Sequence, residues 1–63
     1  MERKIVKIEF QVTTTNAGKI FAKVGDIITI SNRDAEYYNI LKVNDIKIFS
    51  IWMRKAWVNA KCN

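Results

Sequence analysis

Four cations, Lys47, Arg54, Lys55 and Lys61, fall within residues 46–63 without one acidic residue, and Trp52 and Trp57 are set among them. Cations of this kind contact phosphates, while aromatic rings stack on bases or wedge into a groove. Tyr37 and Tyr38 add two further rings, and in an extended segment an adjacent pair points to opposite faces. The candidate nucleic-acid contacts are therefore Lys47, Arg54, Lys55, Trp57, Lys61, Tyr37 and Tyr38. In so small a chain an aromatic inside an apolar run serves the core first, which assigns Trp52 to the interior.

Other chemistries are poorly provided for. The chain has no histidine, so the usual neutral-pH general base is missing. Ser31 and Ser50 lack a base, and Cys62 has only Lys61 beside it to favour a thiolate, so Cys62 reads as structural or dispensable. One cysteine without histidine rules out the common zinc sites. Asp34 and Glu36 would hold a hard cation only if other oxygens converged on them. With two glycines in all, no glycine-rich phosphate loop is present. The expectation is a non-enzymatic binding module with no metal and no cofactor.

The charge distribution sharpens that expectation. Residues 1–45 carry seven cations against six acids, whereas residues 46–63 carry four cations and no acid, so most of the net +5 lies in the last third. Such asymmetry points to a polyanionic partner. A lone cysteine in so short a chain fits a reducing interior, and a cytoplasmic location is expected. Lys7 and Glu9 interrupt the apolar residues that follow the basic start, so no targeting segment is expected, and no stretch approaches the length of a membrane span.

These residues must be positioned by strands. Sixty-three residues allow one domain, and β-branched residues dominate its apolar set. Lys4 to Thr13 alternates, with Val6, Ile8, Phe10 and Val12 opposite Lys7, Glu9, Gln11 and Thr13, which predicts one long strand. Asn16-Ala17-Gly18-Lys19 supplies a turn into a second strand on which Ile20, Ala22 and Val24 share a face. Gly25-Asp26 bends the chain, Ile27 to Ser31 is a third strand or the second strand's continuation past a bulge at Gly25, and SNRDAE (31–36) is a polar loop. Tyr37 to Val43 resumes a strand with Tyr37, Leu41 and Val43 in phase, and Asn44-Asp45 fits a two-residue hairpin turn. Ile46 to Trp57 is apolar on both alternating faces in its first half, which predicts a central strand. Beyond Trp52 the spacing allows a short helix capped by Ser50; the preferred reading is a 3₁₀ turn near residues 53–57 followed by a last strand, Trp57 to Lys61.

Val24-Gly25-Asp26-Ile27-Ile28-Thr29-Ile30, a glycine and an acid leading into alternating apolar residues, resembles the strand entry of SH3-like small barrels. With the later hairpin and turn, that resemblance covers roughly residues 20–61 and implies an all-β fold, a small five-stranded SH3-like barrel or a strongly curved antiparallel sheet. No proline-recognition pattern accompanies it. Size, charge and β content are also similar to small archaeal chromatin proteins that lay a sheet against DNA. The expected core is Val6, Ile8, Phe10, Val12, Ile28, Ile30, Leu41, Ile48 and Ile51. The expected function is a small basic nucleic-acid-binding protein using phosphate contacts and aromatic stacking. The alternative is a protein-interaction module, or a small modulator of viral type, that binds a protein partner; an edge strand could also pair with a second copy of the chain.

Overall fold

The computed structural model describes the backbone of residues 1–63 and every side chain except that of Ser50. Six strands and one helix follow in order: β1 (Glu2–Ile5), β2 (Phe10–Thr13), β3 (Lys19–Ala22), β4 (Ile27–Asn32), β5 (Tyr37–Val43), β6 (Ile46–Arg54) and α1 (Lys55–Lys61). All pairings are antiparallel. They form a four-stranded sheet in the order β1-β4-β5-β6 and a separate β2-β3 hairpin. The molecule is thus mostly β with a small helix, but no barrel closes. The expectation of a five-stranded SH3-like barrel is corrected, because β1 and β6 remain edges of one sheet and the hairpin forms another.

The reason lies at Val6 to Glu9, where the predicted long strand breaks into β1 and β2. The Val6 N–H donates to the Asp26 carbonyl at 2.9 Å and the Val6 carbonyl accepts from Gly25 at 2.9 Å. The N–H groups of Lys7 and Ile8 both donate to the Lys61 carbonyl, at 2.7 and 3.0 Å. These bonds satisfy the backbone without a ladder, so the chain turns a corner from one sheet to the other. Gly25, at φ 94°, and Asp26, whose carboxylate accepts the Lys23 N–H at 2.9 Å, shape the turn that meets this corner. Ile8, placed in the core by alternation, sits on the corner and is 51% exposed.

The hairpin and α1 cover one face of the four-stranded sheet. The core between them comprises Val6, Phe10, Val12, Ala22, Ile28, Ile30, Ile40, Val43, Ile48, Val58 and Cys62, with Ile20, Tyr38, Ile51 and Met53 packed around it. Val58 and Cys62 stand four residues apart, one helical turn, and both are buried. That turn replaces the expected last strand, Trp57 to Lys61, and the helix begins at Lys55 with Arg54 at its N-cap position and no side-chain cap. It thus starts well beyond Ser50, whose side chain lies outside the described residues. Cys62 then bridges to Val6, and Asn63 exchanges hydrogen bonds with Ile5 at 2.8 and 3.2 Å, covering part of the β1 edge.

Two features of β5 and β6 were not foreseen. The Asn44-Asp45 turn forms as its spacing predicts, Asn44 adopting φ 53° while its side-chain oxygen accepts the Ile27 N–H at 3.0 Å. The register nevertheless slips at Leu41, since Lys42 pairs with Lys47 but Ile40 pairs with Ile51. Between these pairs β6 advances four residues while β5 advances two, and the phase of the strand reverses across the slip. Tyr38, Ile40 and Val43 face the core together, although alternation set Tyr38 and Ile40 opposite Val43; Leu41, expected in the core, is only half-buried. β6 is also an edge strand and not the central one. Its apolar residues on the second face are not buried; Phe49 and Trp52 are exposed.

Candidate functional site

The face of the four-stranded sheet opposite the core is uncovered. Residues paired across an antiparallel ladder point to the same side, so the pairs Arg3–Thr29, Thr29–Lys42 and Lys42–Lys47 form one row across all four strands. Three of its four members are cations, and their stems leave Thr29 buried beneath them. One step along, Ser31, Asn39 and Trp52 form a second row, with the Asn39 amide donating to Ser31 Oγ at 3.2 Å. Tyr37 and Arg54 form a third.

The second and third rows are joined by stacking. The Arg33 guanidinium lies 3.1 Å from the centroid of the Trp52 ring. Trp52 and Tyr37 have centroids 6.0 Å apart at an interplanar angle of 40°, and the Arg54 guanidinium is 5.7 Å from the Tyr37 ring. Cation, indole, phenol and cation thus alternate across the face, in the range where ring quadrupoles attract positive charge. Trp52 is still 51% exposed, leaving ring surface free for a ligand.

Arg33 is positioned by its loop. Asp34 Oδ1 accepts the N–H groups of Glu36 and Tyr37 at 2.8 and 2.9 Å, and the N–H groups of Arg33 and Asp34 donate to the Tyr37 carbonyl. The Glu36 N–H lowers the Asp34 pKa most; partial desolvation opposes it, and the Tyr37 N–H, Arg33 and Lys55 assist. The Cys62 thiol is pushed up by burial, against the lowering influence of Lys4 and Lys7, which keeps it neutral and inert.

The structure divides the sequence-predicted residues between two sides. Lys47, Arg54 and Tyr37 belong to the uncovered face. Tyr38 points the other way, its hydroxyl donating to Asn59 Oδ1 at 3.2 Å. Lys55 donates to the Asn32 side-chain oxygen and lies 5.3 Å from the Tyr38 ring, so the charged ends of Arg54 and Lys55, adjacent in sequence, go to different rings. Trp57 is 46% exposed on α1, with the Lys61 ammonium 4.6 Å from its ring, away from the other rings. Trp52, assigned to the core, is exposed instead. Sequence reasoning missed Arg3, Arg33 and Lys42, which join the face only through cross-strand register and loop geometry.

Among the described residues no cluster of three or more metal-ligating side chains occurs, and no helix is long and apolar enough to cross a membrane. Comparison with known family models, curated proteins and solved structures finds no match for this chain.

Proposed function

We propose that this protein is a non-enzymatic nucleic-acid-binding module that lays the uncovered sheet face along a sugar-phosphate backbone. The observation that carries the reading is the Arg3–Lys42–Lys47 row beside the Arg33–Trp52–Tyr37–Arg54 stack. The cations supply phosphate contacts and the rings supply base stacking. No carboxylate stands in these rows to repel a phosphate. Two acids border them, Asp34 beside Arg33, Tyr37 and Trp52, and Asp45 beside Arg3 and Lys42. Contacts of this kind fix affinity and position, with little sequence discrimination.

Fluorescence anisotropy of labelled oligonucleotides, titrated with the protein and its variants, tests the assignment. Trp52→Ala is expected to weaken binding by about 1–3 kcal/mol, the range for loss of one base stack. Lys55→Ala and Lys61→Ala, on the other side, are expected to leave affinity within about twofold, as removal of charges outside a contact surface does. Equal loss from both sets would move the site off this face. A protein-binding reading has its support in Ile8, Phe21 and Val24, which are exposed around the hairpin. Phe21→Lys would remove that surface and is expected to leave oligonucleotide binding intact.

A further inference from the structure

Resting on the nucleic-acid reading above, we infer that the register slip between β5 and β6 forms a seat for one unpaired nucleobase, so that the protein selects single-stranded over double-stranded nucleic acid. The slip opens a groove of about 600 Å³ on the uncovered face, bordered by Arg3, Thr29, Leu41, Lys42, Lys47 and Phe49, with no carboxylate in its lining. Its floor is apolar and its rim holds three ammonium or guanidinium groups. That combination suits a flat heteroaromatic ring carrying a phosphate on each side. Phe49 is 57% exposed and presents a ring in the groove.

The slip is held from a distance. Asn16, at the tip of the β2-β3 hairpin, donates from its amide to the Lys47 carbonyl at 2.9 Å and accepts the Phe49 N–H at 3.2 Å. The Thr15 hydroxyl donates to the Phe49 carbonyl at 3.2 Å. Three hydrogen bonds from another layer thus fix the backbone on both sides of Ile48, as expected of a built feature. A base can lay its face in this groove only if it is free of its complement, because in a duplex the ring faces are stacked and only base edges, sugars and phosphates reach the protein. The cation row then accepts either form, and the groove adds affinity for one of them.

The experiment measures anisotropy of a labelled short oligothymidine and of a blunt duplex of the same length, with the wild-type protein, Phe49→Ala and Phe49→Leu, at one salt concentration. Leucine retains apolar bulk at the slip without an aromatic face, so it reads stacking even where alanine loosens the strand. The single strand is expected to bind at least tenfold more tightly than the duplex, and both variants are expected to lose about tenfold for the single strand, the fold-change of one modest stacking contact, with duplex binding unchanged. Equal affinity for the two forms, or equal loss for both on replacing Phe49, overturns the base seat while leaving the nucleic-acid reading standing. No binding of either form at low salt removes both.

Discussion

Asp34 is the residue on which the order of the aromatic stack depends. Its carboxylate closes the turn that delivers Arg33 to Trp52, through the N–H groups of Glu36 and Tyr37. Because its pKa in the folded protein lies below the ordinary 3.8, its contribution is complete above that value. The contribution fades as pH falls through the lowered value, where the folded protein takes up a proton. At neutral pH the loop is therefore insensitive to acid. In a Trp57→Phe background, Trp52 emission is expected to hold constant down to mildly acidic pH and to change only at strongly acidic pH. Asp34→Asn keeps an acceptor without a titrating group and should abolish that step, whereas Asp34→Ala should show the altered emission throughout. An acid transition that survives in Asp34→Asn would assign it to another group. The Arg33–Asp34 ion pair, at 3.9 Å and exposed, contributes little to this balance.

At the scale of elements, the hairpin tip and β6 depend on one another. Asn16→Ala removes two hydrogen bonds to β6, each with a net value of about 0.5–1.5 kcal/mol. Denaturant unfolding is expected to show a loss of about 1–3 kcal/mol, with amide exchange accelerating around Phe49. An unchanged midpoint and unchanged protection would mean that the strand holds its own slip. Much of the element order was legible: the alternation of Ile28 and Ile30, the Asn44-Asp45 turn and the limits of β5 follow from local chemistry. What could not be read was non-local. Lys4 to Thr13 alternates throughout, yet the backbone partners of Val6, Lys7 and Ile8 are Gly25, Asp26 and Lys61, which no local pattern names. One extra residue at Leu41 put Tyr38 and Ile40 on the same side as Val43, where parity had set them opposite. The apolar character of Ile46 to Trp52 was visible, but an open aromatic face and a buried one have the same sequence. The candidate site was therefore only half legible: Lys47, Arg54 and Tyr37 came from composition, while Arg3, Arg33 and Lys42 required the fold.

For the whole molecule the question is whether net charge or its placement attracts a polyanion. Of the eleven cations, Arg3, Lys42, Lys47 and Arg54 stand in the rows of the uncovered face and Arg33 lies over its Trp52, leaving six elsewhere. If placement governs, only contacting cations release counterions, and log K for a single strand falls with log salt at about −0.7 per phosphate contacted. Five contacts give a slope of about −3.5. Lys42→Ala combined with Lys47→Ala should flatten it by about 1.4. Lys55→Ala combined with Lys61→Ala lowers the net charge by the same two units, to +3 from +5, but removes no contact from this face. Its slope should remain that of the wild type. Because the two pairs carry the same charge and only one stands in the rows of the uncovered face, identical flattening by both would make the affinity a property of total charge and leave that face with no special part in binding. Retention of the wild-type slope in the second pair alone ties the affinity to the row that crosses β1, β4, β5 and β6.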